Sequence, residues 1–144
     1  MKRGMRVTFT TKGLMNATEL SRRKVQKARE AFNQAVEQQL LDLVTKNFND
    51  LSHGYAGVDG TKWKRLNADT VKKKGRTQIG VDTGELRDSV EVYTTNRGVS
   101  VKYNSPHAEY FDQERPLLPS AIPLAWKKKL ESAGNKAMIR VLGQ

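Results

Sequence analysis

Apolar side chains recur at three-to-four spacing through Val25, Ala28, Phe32, Ala35, Val36, Leu40, Leu43 and Val44. That spacing lays one stripe along an α-helix. Arg22, Arg23, Lys27, Arg29, Gln38 and Asp42 fall on the opposite face, and neither Gly nor Pro interrupts the run. The pattern predicts a helix reaching to about Phe48, with Asn16 or Thr18 as its cap and Glu19 placed as in a capping box. Before it, Arg6-Val7-Thr8-Phe9-Thr10 alternates and reads as a short strand closed by Lys12-Gly13.

Beyond the helix the periodicity changes. Gly54, Gly57, Gly60, Gly75 and Gly80 all fall between Asn49 and Val81, a stretch with no sustained repeat except a short helix that Asn67 can cap. Glu85–Ser89 suits a helical turn. Val90-Glu-Val-Tyr-Thr-Thr and Val99-Ser-Val-Lys-Tyr then alternate on either side of Asn96-Arg97-Gly98, a β-hairpin with Gly where positive φ is required. Pro106 to Phe111 reads as a short helix carrying His107, Tyr110 and Phe111. Pro116, Pro119 and Pro123 impose an extended passage. A last helix is expected from Ser120 to about Val141, with Trp126 near its start and Leu124, Leu130, Ala133, Ala137 and Ile139 available for packing. This order predicts an α+β domain: a long N-terminal helix packed on a small antiparallel β-sheet, a long Gly-rich loop and a C-terminal helix. A single domain is expected over 1–144, with an N-terminal arm or strand at 1–13, the loop at 50–81 and the last helix at 120–141.

Charge refines this picture. The 144 residues carry a formal net charge of +11, concentrated in residues 1–29, 62–76 and 127–140. The remainder is acidic and includes Asp82, Glu85, Asp88, Glu91, Glu109, Asp112 and Glu114. Two partner classes follow: nucleic acid, drawn by the basic zones, or a second copy, drawn through opposite patches. The absence of Cys excludes disulfides and thiolate metal sites, and two His far apart in sequence offer no basis for zinc. No metal or cofactor is expected. No apolar run is long enough to span a bilayer, and the N-terminus lacks the apolar centre of a signal peptide.

Candidate chemistry is sparse. Asp82-Thr83-Gly84 matches the aspartic-protease triplet, but one copy before Glu-Leu-Arg-Asp-Ser reads as a tight turn in which Asp82 or Thr83 caps the next helical turn. An enzyme using Asp82 and His107 lacks any placement of the two groups. Phosphate-binding and dinucleotide fingerprints are missing, so no enzymatic activity is expected. Lys72, Lys73, Lys74 and Arg76 can neutralise phosphates or form a solvated loop. Trp63 either stacks on a base or anchors that loop. Arg115-Pro116-Leu117-Leu118-Pro119 is either a stiff connector or an edge presenting Leu117 and Leu118 to a neighbouring subunit.

Taken in order, Gly60-x-x-Trp63, Thr70-x-x-x-Lys74-Gly75, Asp82-Thr83-Gly84-x-Leu86-Arg87-x-Ser89, Ser105-Pro106-His107-Ala108-Glu109-Tyr110 and Arg115-Pro116-x-Leu118-Pro119 form a colinear set. The set resembles the landmarks of the tailed-bacteriophage virion morphogenesis and tail-completion proteins over about residues 6–135. His107 stands where that family usually has an aromatic, Tyr110 and Phe111 stand near its usual His, and Leu117 replaces its Phe. The resemblance implies a non-enzymatic structural subunit of the head–tail connector, forming a homo-oligomeric ring that is commonly hexameric. Its neighbours would be connector or stopper and tail-terminator proteins, with genomic DNA passing nonspecifically through the lumen. Its location would be the virion, and the host cytoplasm during assembly. In that reading Trp63 and Leu86 pin the long loop, and Asp82–Gly84 shape its return. Arg87 and Arg115 make inter-subunit salt bridges, and Leu117 and Leu118 join the subunit interface. Lys72, Lys73, Lys74 and Arg76 face DNA or the next ring, and the loop orders against neighbouring copies. The other function class is a charge-driven, sequence-nonspecific DNA-binding accessory protein.

Overall fold

The computed structural model describes residues 4–8, 22–75, 79 and 84–143. Its elements are β1 (Gly4–Val7), α1 (Arg22–Ser52), α2 (Ala68–Lys74), α3 (Glu85–Asp88), β2 (Val90–Thr95), β3 (Gly98–Tyr103), α4 (Ala108–Glu114) and α5 (Leu124–Leu142). The chain is an α+β fold with a three-stranded antiparallel sheet in the order β1-β3-β2. The expected cap residues Asn16 and Thr18, with Glu19, lie outside the described residues, as do Phe9-Thr10 of the expected strand and the Lys12-Gly13 that closes it.

Helix α1 buries Ala28, Phe32, Val36, Leu40, Leu43, Val44, Phe48 and Leu51 along the stripe that the sequence implies. It continues one turn past Phe48, because a backbone motif closes it rather than the end of the apolar pattern. Tyr55 N–H donates to the Asp50 carbonyl and Gly54 N–H to the Leu51 carbonyl. Gly54 holds φ +84° between them. This pair of bonds around a left-handed Gly is a Schellman stop, satisfying carbonyls that the helix end leaves without partners.

Helix α5 begins four residues later than Ser120, at Leu124, with Pro123 as its cap at φ −63° and ψ 139°. The proline disfavours helical geometry in the residue before it, which postpones the start. Its buried stripe is Trp126, Leu130, Gly134 and Met138. Leu124 and Ile139, expected to pack, are 67% and 64% exposed. The stripe is phased by Gly134, whose missing side chain admits the Phe32 ring. A Cβ there would lie 2.5, 2.6 and 2.9 Å from three ring atoms. Gly134→Ala is therefore expected to lower stability by about 1–3 kcal/mol through overpacking, against the roughly 1 kcal/mol that Ala gains in a helix interior. Urea unfolding of Gly134→Ala, with and without Phe32→Leu, checks the sign. A stabilised single variant would show that the ring yields freely.

The hairpin turns at Asn96-Arg97, pairing Thr95 with Gly98 through Val90 with Tyr103. Strand β3 is central and buries Val99, Val101 and Tyr103. These side chains share one core with Leu40, Val44 and Phe48 of α1. The Phe48 and Tyr103 rings lie 6.0 Å apart. Glu37 of α1 reaches the edge of β2, its carboxylate accepting from Thr94 N–H at 2.9 Å and Thr94 Oγ1 at 2.8 Å. Asn67 Oδ1 caps α2 by accepting from Thr70 N–H at 2.7 Å, and Gly75 ends it in the left-handed region.

Candidate functional site

Two segments far apart in sequence meet over the C-terminal half of α1. Trp63, in the loop after α1, inserts its ring edge-on between Phe48 at 5.1 Å and Phe111 of α4 at 4.9 Å. Its indole N–H donates to the Pro116 carbonyl at 2.7 Å, so the buried ring leaves no donor unpaired. Arg115 answers from the other side. Its Nε donates to the Lys64 carbonyl at 2.8 Å, and its guanidinium lies 5.8 Å from the centre of the Phe111 ring. Asp112 Oδ1 accepts from Leu117 N–H at 2.9 Å, folding the proline turn back on α4. The result is a clasp joining the loop at Trp63–Lys64 to the turn at Arg115–Leu117.

Polar side chains of α1 hold the rest of the loop. Buried Asn47 accepts from Val58 N–H through Oδ1 at 2.8 Å, beneath a turn closed by Gly60 N–H on the Gly57 carbonyl. Buried Ser52 donates through Oγ to the Ile79 carbonyl at 2.6 Å and accepts Ile79 N–H at its own carbonyl. The described part of the loop thus packs on its own chain, with Trp63 and Ile79 in the core. Enough apolar surface is available within the protomer, so no partner is required to bury the ring.

The candidate residues divide accordingly. Trp63 is an anchor. Trp63, Leu86, Leu117 and Leu118 are all core residues of their own chain, their side chains enclosed within it. Arg87 pairs with Asp88 at 3.1 Å in an exposed intrachain contact, of a kind that contributes little. Arg115 bonds a carbonyl of its own chain and lies over the Phe111 ring. Lys72 and Lys73 are exposed on α2, and Lys74 is its last residue. Asp82 and Arg76 lie outside the described residues, as does Thr83, so their expected roles are not placed. Asn47, Ser52 and Asp112, which tie backbone of the loop and the proline turn, are not among the sequence's candidate site residues. Each bonds backbone between five and 27 positions away, and no short motif encodes such a partner.

Exposed charge gathers in separate zones. Phe32 faces Gly134 while Asn47 lies beside Trp126, so α1 and α5 run antiparallel. Exposed Arg22, Arg23, Lys27 and Arg29 on α1 thus lie toward the end of α5 that carries Lys136 and Arg140. A second basic zone is formed by Lys62, Lys64 and Arg65 beside α2. Between Glu30 and Thr45, α1 carries Glu30, Glu37 and Asp42 and no basic side chain.

His107 sits exposed at the cap of α4. His53, whose Nδ1 bonds the Asn49 carbonyl at 2.7 Å, stacks on exposed Tyr55. Burial pushes the Tyr103 hydroxyl well above the ordinary tyrosine range, so it stays a neutral phenol. Among the described residues no three His, Cys, Asp or Glu gather as a metal site, and no helix is long and apolar enough to cross a membrane. Comparison with protein-family models, with curated proteins and with solved structures finds no match to this chain.

Proposed function

We propose that this chain is a structural subunit of the head–tail connector of a tailed phage, joining capsid portal components to the tail in a homo-oligomeric ring around the genomic DNA. The observation that carries the proposal is the clasp. The Gly-x-x-Trp block and the Arg-Pro block are separate landmarks of the resemblance, and they meet through Trp63 on Pro116 and Arg115 on Lys64. The two blocks, more than 50 positions apart, thus form one structural unit. Both blocks act as structural parts, which suits an assembly protein rather than an enzyme. Opposite charges in separate zones suit a ring, in which one surface meets a different surface of the next copy.

Particles produced without the chain are expected to appear as separate filled heads and tails in negative-stain micrographs. Joined, infectious particles under that condition would overturn the proposal. A second reading, a charge-driven DNA-binding protein, draws on the exposed basic zones. It predicts duplex affinity that falls by about tenfold or more between 50 and 200 mM salt, and particles that join normally in the protein's absence.

A further inference from the structure

Among the described residues strand β2 has a neighbour on one side only, because the sheet order is β1-β3-β2. In an antiparallel pair alternate residues direct both N–H and C=O away from the partner strand. Thr94 is such a residue, since its N–H is taken by Glu37 of α1 and not by β3. Period two then sends the N–H and C=O of Val92 and Val90 the same way. Beside them lies an open groove of about 470 Å³, walled by Gln34, Glu37, Gln38 and Leu41 of α1 and by Val90 to Val92. An uncovered strand edge beside a groove is a template for an added strand.

Charge selects the occupant. The α1 wall carries Glu37 and lies within the Glu30–Thr45 sector, which has three acids and no base, while exposed Glu91 of the β2 wall is paired with Lys102 of β3 at 3.9 Å. The complementary piece on the same molecule is Lys62–Arg65. It lies outside every helix and strand of its own chain, and its burial alternates, with Lys62 and Lys64 exposed on either side of buried Trp63. It is held rigid by the clasp, so little ordering entropy opposes its docking. We propose that the outer edge of β2 takes Lys62–Arg65 of a second copy of this chain as an added strand. Groove and strand lie on different surfaces, so the contact is head-to-tail and closes a ring or extends a filament. The inference rests on the connector reading for its biological setting, but its test does not depend on particles.

Sedimentation velocity of the full chain is expected to show concentration-dependent assemblies larger than a dimer. Val92→Pro removes one outward N–H while leaving the bonds to β3, a position where an edge strand tolerates proline. It is expected to weaken association at least tenfold with the circular dichroism spectrum kept. Because that variant perturbs a strand, surface changes serve as its check. Gln34→Lys/Gln38→Lys and Lys62→Glu/Lys64→Glu should each weaken association at least tenfold, and combining all four should restore it. A wild-type chain monomeric at every concentration overturns the inference. So does association unchanged in both charge variants, which leaves ring formation, and with it the connector reading, intact.

Discussion

Gly98→Ala is expected to lower the unfolding free energy by about 2–4 kcal/mol and to release β1 from the sheet. Gly98 opens the central strand at φ +139°, a conformation that L residues rarely adopt. A Cβ built there falls 1.9 Å from the Val7 carbonyl oxygen, 2.9 Å from its carbon and 3.1 Å from Thr8 Cα. All three are backbone atoms, so no rotamer change relieves the overlap. Either β1 moves away, exposing buried Val7, or the end of β3 bends and loses its pairing with Thr95. Gly60→Ala provides the control. Gly60 also has positive φ, at +85°, but a Cβ there meets nothing within 4 Å. That variant bears only the backbone term, about 1 kcal/mol. Urea unfolding ranks the two, and amide exchange locates the damage, with protection at Met5 and Val7 falling first. Equal stabilities for the two variants would sink the steric argument.

The same glycine shows what a sequence can and cannot announce. Asn96-Arg97-Gly98 between alternating strands marks the hairpin, because turn geometry is a local matter of φ and side-chain spacing. The long helix, the Asn67 cap and the short helix, expected over Pro106–Phe111 and found over Ala108–Glu114, are legible for the same reason. The close passage of β1 over Gly98 was not, since it joins residues some ninety positions apart. The phase of α5 was misread on similar grounds. Leu124 and Ile139 are good core residues by hydrophobicity, yet the contact of Gly134 with the Phe32 ring turns both outward. A helix that packs through its smallest residue buries a stripe that hydrophobicity alone does not rank first.

The candidate site was legible in part. Trp63 amid Lys62, Lys64 and Arg65 drew notice because large aromatics are rarely left in solvated basic loops. Its anchoring role is visible in the structure, while the residues that receive it, Phe48, Phe111 and the Pro116 carbonyl, come from three separate elements. Leu117 and Leu118 pack inward in their own chain, where Asp112 ties Leu117 N–H back to α4 and turns the segment toward the core. Exposed charge, by contrast, was read from the zones directly, because charged side chains seldom leave the surface.

Trp63→Ala is expected to cost about 3–5 kcal/mol, the range for deleting a buried aromatic, and to undo the clasp as a unit. The ring fills the space between Phe48 and Phe111, and its loss removes contact from both. It also frees the Pro116 carbonyl, after which Arg115 and Lys64 have no fixed geometry in which to meet. Trp63→Phe separates the two contributions. It keeps an aromatic edge against both neighbours and loses only the 2.7 Å hydrogen bond, worth about 1 kcal/mol where the freed carbonyl can reach water. The expected order of stability in urea is therefore wild type, then Trp63→Phe, then Trp63→Ala, with the larger gap in the second step. A functional readout follows from geometry, because Lys62 and Lys64 flank the ring and are aimed outward by its burial. Trp63→Phe should retain self-association near the wild-type level. Trp63→Ala should lose it even at temperatures where α1 and α5 remain helical by circular dichroism. If Trp63→Ala unfolds like wild type and associates normally, the loop is held by something other than the clasp.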